Sequence, residues 1–175
     1  MAGGLLPVAK QNLGIAEMEI RPAREDDAVA ACETMRWSIK ELCVADHNND
    51  PAILARWLAN KTPENLIAWI ARPSNCLLVA VENDTVLSVG CVTDAGEITL
   101  NYVSPGARFR GVSRAMLNAL EERARERGNA RCTLRSTGTA RRFYRAAGYV
   151  EDAPAPFKFG MPDYPMSKIL GVDRQ

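Results

Sequence analysis

The chain changes backbone period within one short stretch, and that change constrains everything around it. Ile98–Val103 reads as a β-strand, Ser104–Arg110 as a Pro/Gly turn carrying arginines, and Gly111–Arg127 as an amphipathic helix. Val112, Met116, Ala119 and Leu120 share the apolar face; Arg114, Asn118, Glu121 and Arg125 share the other, with Glu121 and Arg125 spaced to pair. Gly128 closes the helix, and Arg131–Arg135 is the next strand. A strand reached through a helical crossover runs parallel to the strand it left, so this pair is expected to be parallel.

The same stretch offers a site. A helix start leaves backbone N–H groups unpaired and carries partial positive charge, which suits a phosphate. Arg108, Arg110 and Arg114 add full charges there, and Gly111 lets the backbone approach a ligand closely. A plain turn with solvated arginines is the competing reading. Agreement of strand, helix and arginine spacing favours phosphate binding.

The remaining elements follow from punctuation. Glu19–Pro22 is a short first strand, and Arg24–Asp27 opens a helix expected to reach about Val44. Asp50-Pro51 and Thr62-Pro63 each look like an N-cap followed by proline, starting helices that run to Asn60 and Ile70. Cys76–Val81, Val86–Val92 and Ile98–Val103, joined by short polar turns, form an antiparallel meander. Gly138–Ala147 is a helix, Tyr149–Glu151 begins a strand, residues 154–162 are a proline-broken loop, and Tyr164–Leu170 is the last strand. The result is one α/β (α+β) domain with a mixed, mostly antiparallel sheet.

Composition narrows the function classes. The 175 residues are 47% hydrophobic and 25% charged with net charge +1, which fits one globular domain and argues against a general nucleic-acid or membrane-surface binder. No apolar run is long enough to span a membrane. Five cysteines without a C-x-x-C pair, and the single His47, make a metal site unexpected; free buried thiols in a reducing cytoplasm are expected instead. Residues 1–18 carry no signal-peptide pattern and are expected to be a loose arm or an upstream start, with the domain occupying 19–171.

Arg108-x-x-Gly111-x-Ser113, preceded by Val103-x-Pro105 and followed by Ala115-Met-Leu117, resembles the acetyl-CoA pyrophosphate loop of the GNAT superfamily of N-acetyltransferases. Ser113 departs from the family's Gly or Ala but is small, with its N–H intact. A second match, Leu134-Arg-Ser-Thr137 through Ala140-x-x-Phe143-Tyr144 to Gly148-Tyr149, is similar to the family's later motif. The resemblance covers roughly 19–170 and implies a sheet with a central, splayed parallel strand pair.

It also implies roles. Tyr144 would be the general acid to the departing CoA thiolate, against the competing reading of a core aromatic. Glu97 would be a general base acting through water, against a solvated turn residue. The cofactor site would comprise Tyr102, Val103, Arg108, Phe109, Arg110, Gly111, Val112, Ser113, Arg114 and Thr137. An N–H of Tyr102 or Val103 would polarise the thioester, and Thr137 would replace the family's usual Asn. His47 reads as a residue of a solvated, cap-forming loop sooner than as a base. Trp37, Trp57 and Trp69 read as core or pocket wall, and Arg141, Arg142 and Arg145 mostly as solvated charges. Glu41 and the acidic loop beside His47 weakly favour a cationic acceptor. The acceptor pocket is expected from 44–50, 62–65 and 153–162.

The implied activity is direct acetyl transfer from acetyl-CoA, without metal, to a primary amine on a small molecule or peptide. Other readings stay open: a non-catalytic CoA-binding or interaction module on this fold, transfer to RNA or a ribosomal protein, and a homodimer.

Overall fold

The computed structural model describes residues 17–154 and 157–171. The arm expected at 1–18 therefore lies almost wholly outside the described residues; Met18, at its end, packs against the core.

Strand β1 (Glu19–Pro22) leads through a 3-10 turn into helices α1 (Ala28–Leu42), α2 (Val44–His47), α3 (Pro51–Leu58) and α4 (Pro63–Ala71). The expected single helix up to Val44 breaks at Cys43, whose backbone leaves the helical region. The two proline starts form as anticipated. Asp50 Oδ1 accepts from the N–H groups of Ala52 and Ile53 at 2.8 and 3.1 Å, and Thr62 Oγ1 from Asn65 at 3.2 Å. Strands β2 (Asn75–Glu82), β3 (Thr85–Thr93) and β4 (Glu97–Val103) then make the meander. Asn83 and Asp84, both at positive φ, form the tight β2–β3 turn.

Helix α5 (Val112–Glu126) crosses over to β5 (Arg131–Ser136); helix α6 (Gly138–Ala146) and strand β6 (Val150–Glu151) follow. Residues 157–162 are not an irregular loop. Strands β7 (Phe157–Lys158) and β8 (Met161–Pro162) pair about Phe159 and Gly160, both at positive φ, and Pro162 sits where a missing N–H is tolerated. Strand β9 (Tyr164–Ile169) inserts between β5 and β6, giving the order β1-β2-β3-β4-β5-β9-β6, with β4–β5 its parallel pair.

Helices cover both faces. Leu77 and Val79 of β2 face Met35 and Leu66 of α1 and α4, while Leu78 and Ala80 face Met116 and Leu120 of α5. Double-sided burial explains why β2 and β3 read as continuous apolar runs. Gly90 lets α5 pack closely where it crosses β3: a Cβ there would lie 2.7 Å from Met116 Sδ and would force the Met116 and Leu120 side chains to shift.

Two side chains differ from expectation. Glu121 is buried and receives Lys168 Nζ at 2.9 Å and the Tyr149 hydroxyl at 3.2 Å, with Arg125 only a distant third partner. Its position on the helix face suggested solvent, but β9 brings Lys168 over it. Trp37 is exposed, so it is neither core nor pocket wall, whereas Trp57 is buried.

Candidate active site

The site starts from a defect in pairing. Only Glu97 with Thr133 and Ile98 with Leu134 are in parallel register, although β4 continues to Val103 and β5 to Ser136. Across the sheet, Leu100 pairs with Cys91 but Ile98 pairs with Val92, so Thr99 is an extra residue. Such a bulge bends its strand, and this one sits where β4 and β5 part. The N–H of Ser104 bonds to the Leu87 carbonyl across β3 at 2.7 Å. Alternation along the strand therefore gives the Tyr102 backbone to β3, and Ser88 Oγ also donates to the Tyr102 carbonyl at 2.8 Å. Asn101 and Val103 turn their backbone groups toward the gap. Of the two expected N–H donors, Val103 faces the opening and Tyr102 does not.

One cleft, about 390 Å³, opens on the α5 side of this gap and contains Val103, Arg108, Phe109, Gly111–Arg114, Thr137 and Tyr144 among its walls. Gly111 caps α5 with φ 79°, and no side chain caps that helix start. A Cβ placed on Gly111 would meet no atom within 4 Å, so the space before the helix is open to a ligand. Val112 is buried and anchors the turn, while Phe109 is 94% exposed beneath the Arg108 guanidinium. The three arginines are not equivalent. Arg110 is paired with Glu82 through two bonds of 2.8 and 2.9 Å, whereas Arg108 and Arg114 have no carboxylate partner among the described residues.

Tyr144 lies at the inner end of this cleft. Its ring is buried, in edge contact with Phe143 and Tyr149, and its hydroxyl accepts from Asn101 Nδ2 at 3.1 Å. Burial pushes the hydroxyl up to about 12, the Asn101 hydrogen bond offsetting part of that rise. With its lone pair engaged, the hydroxyl keeps its proton to donate. Thr137 caps α6, accepting from Ala140 N–H at 3.2 Å. The first N–H groups of α6 are occupied by Asp46, which accepts from Gly138 at 2.7 Å and also from the Thr139 hydroxyl. The free helix start is therefore that of α5, not α6. Arg141 and Arg145 both bind Glu151 and face away from phosphate duty.

A second cleft, about 520 Å³, opens on the other side and shares Ile98, Leu100, Tyr102 and Ser136 with the first. Trp57, Trp69, Lys61, Glu97, Lys158 and Asp163 are among its walls. Trp57 Nε1 donates to the Tyr102 hydroxyl at 3.3 Å, and burial drives that hydroxyl's pKa upward. Glu97 is exposed at the start of β4. Of the segments expected to build an acceptor pocket, only 153–162 contributes; the ends of α3 and α4 replace 44–50 and 62–65. His47 is fully buried, not solvated. Its Nε2 bonds to the Ile39 carbonyl and its Nδ1 accepts from Asn49, so both ring nitrogens are engaged within the fold and neither reaches a cleft.

Sequence reasoning missed Asn101, Asp46, Ser88 and Lys61. Asp46 meets α6 across more than ninety positions, and no local pattern signals that. The polar Asn101 and Ser88 inside apolar strands were the available signs.

A splayed parallel strand pair, an uncapped helix start and two joined clefts form an arrangement suited to group transfer between two bound molecules. Residues 43–170 match the model of the acetyltransferase (GNAT) domain, and the chain belongs to that family. Solved structures agree on the fold. A GCN5-related N-acetyltransferase from Rhodopseudomonas palustris superposes with TM-score 0.78 at 22% identity, covering 89% of this chain and 98% of that one. The PaiA N-acetyltransferase of Thermoplasma acidophilum, solved with coenzyme A, gives 0.77 at 18% identity over 88% and 99%. The yncA protein of Salmonella typhimurium, solved with acetyl-CoA, gives 0.68 at 23% identity over 91% and 98%. No curated protein matches the sequence. Among the described residues, no helix is long and apolar enough to cross a membrane.

Proposed function

We propose that this acetyltransferase moves acetyl from acetyl-CoA directly to a primary amine, with both substrates bound at once. The meeting of two clefts at the β4–β5 gap carries the reading, since a carrier in one and an amine in the other would touch there. The open α5 start, Arg108 and Arg114 suit the pyrophosphate, with Arg110 holding the loop through Glu82 and Phe109, Gly111, Val112 and Ser113 shaping it. The Val103 N–H suits the thioester oxygen. Tyr144 offers a protonated hydroxyl to the departing thiolate. Glu97 lines the amine cleft and would act as base through a water.

Cysteine chemistry fits direct transfer. Cys43 lines the carrier cleft, but burial holds its thiol up near 12, so a nucleophilic thiolate is disfavoured at neutral pH. The free thiols and the acetyl-CoA supply favour a cytoplasmic setting.

Thermal-shift titration with acetyl-CoA, CoA and an unrelated nucleotide, followed by thiol release with an amine panel, tests this. Stabilisation by acetyl-CoA with amine-dependent thiol release is expected. Absence of stabilisation at millimolar acetyl-CoA would remove the carrier site, and with it the reading.

A further inference from the structure

We propose that the acceptor amine also carries an anionic oxygen group, a carboxylate or a phosphate, and that Lys61 and Lys158 receive it in the larger cleft. The proposal rests on the amine-transfer reading above and narrows its substrate.

The first observation is charge balance. Lys61, Arg72, Arg135 and Lys158 line this cleft against Glu97 and Asp163. Asp163 is already bound to Arg135, Nε to Oδ2 at 2.5 Å. Glu97 therefore faces Lys61, Lys158 and Arg72 as the one unpaired carboxylate lining the cleft among the described residues. An acceptor that is only cationic would enter against like charge.

The second observation is Lys61 itself. The residue is only 7% exposed, yet its ammonium makes one hydrogen bond, to Asn60 Oδ1 at 2.8 Å. Among the described residues no carboxylate lies within ion-pair distance of Lys61 or Lys158. The Lys61 backbone is fixed in turn, its carbonyl accepting from the Arg36 guanidinium at 3.1 Å. A buried ammonium without a counter-ion is costly, so its pKa falls to about 8, through desolvation first and the neighbouring Lys158 second. An arriving anion would supply the missing partner and use hydrogen-bond donors that are otherwise idle.

The third observation concerns the acidic residues that had favoured a cationic acceptor. Asp46 is engaged with α6, Asp50 caps α3, and Glu41 does not line the cleft. Trp57 and Trp69 supply an apolar wall for the body of the molecule. The matching ligand is a small amphoteric amine, with its nitrogen directed to the β4–β5 gap and its anion to the two lysines.

The test compares matched acceptors in the acetyl-CoA assay with the full chain: an amino acid, its carboxamide, an aminoalkyl phosphate and a diamine. The acid or the phosphate is expected to exceed the carboxamide in kcat/KM by about tenfold or more, the value of one charge-assisted contact. Whichever of the two is preferred identifies the anion. Lys61→Met and Lys158→Met should each collapse that ratio. Lys158 is exposed on its hairpin, so it keeps the test available if Lys61→Met alters folding. Equal use of carboxamide or diamine overturns the proposal, as does a lysine variant that slows acid and carboxamide alike. Calorimetric titration of the CoA-saturated protein reads the seat without turnover. Lysine-dependent preference for the anion there, with no thiol release, would sink the transfer reading and leave the seat. Equal or absent binding of acid and carboxamide would sink the seat.

Discussion

Replacing Tyr144 with Phe removes one oxygen and leaves the ring in its packing against Phe143 and Tyr149. Two consequences can be sized. The Asn101 amide loses its acceptor at 3.1 Å, a neutral hydrogen bond worth about 1 kcal/mol, or a few degrees in Tm for a chain of this size. If the hydroxyl also donates to a developing thiolate, the loss is that of a hydrogen bond to charge, about 1.5–3 kcal/mol, or roughly 10- to 150-fold in kcat.

Thiol-release kinetics with the best acceptor separate the two. We expect kcat to fall while the acetyl-CoA midpoint from thermal shift stays within about twofold, because the phosphate contacts proposed above are elsewhere. A hydroxyl held near 12 also makes a pH statement. The folded state favours its neutral form, so this contribution is intact below pH 10 and is lost as pH rises from 10 through 12. Wild type should therefore lose about 1.4 kcal/mol per pH unit relative to Tyr144→Phe across that window, so that a gap of about 1 kcal/mol closes and then reverses. A variant with kcat within threefold of wild type would refute the acid role and leave Tyr144 as a packed aromatic.

Gly111→Val places a β-branched residue at φ 79°, with strain of roughly 1–3 kcal/mol, and fills the space before α5; acetyl-CoA should no longer raise Tm. Asp46→Ala leaves the Thr137 cap but strips Gly138 and Thr139 at the start of α6 of their acceptor, and is expected to cost about 1–2 kcal/mol, measurable by urea unfolding, while lowering kcat more than acetyl-CoA affinity because α6 carries Tyr144. Glu97→Gln should reduce kcat/KM by about 100-fold or more if Glu97 is the base, and by little if the amine arrives neutral. Lys61→Met should stabilise the free protein at pH 7 by up to about 3 kcal/mol, since a pKa of about 8 means the charged form burdens the fold; the gain should fade as pH rises from 8 toward 10.5.

What the sequence made legible was local. The N-caps at Asp50 and Thr62, the tight turn at Asn83-Asp84 and the strand–loop–helix at Gly111 each depend on residues a few positions apart, and each formed as expected. Glu121, Trp37 and His47 defeated the same reasoning because their surroundings come from distant segments. Periodicity put Glu121 on the outer face, but Lys168 and Tyr149 arrive over it with the last strands. The splay depended on an extra residue, Thr99, in an otherwise regular strand, which no side-chain pattern marks. The hairpin at 157–162 was hidden by prolines that proved compatible with an edge.

Net charge conceals the same distinction at the level of the whole chain. A value of +1 argues against a general polyanion binder, but it is a sum over charges already neutralised in place and says nothing of a single anion site. Glu82 holds Arg110, Asp163 holds Arg135, Glu151 holds Arg141 and Arg145, and Glu121 holds Lys168. Arg108 and Arg114 in one cleft, and Lys61 and Lys158 in the other, lack carboxylate partners among the described residues. Pairing has thus engaged most of the nearby acidic charge, Asp163 within the larger cleft included, and left the unpaired cations of each cleft in excess. A carrier bearing phosphates and an acceptor bearing an anion would then both be drawn in by the same imbalance. Raising ionic strength should weaken the two KM values together, with the buried Lys61 contact resisting salt better than the exposed arginines.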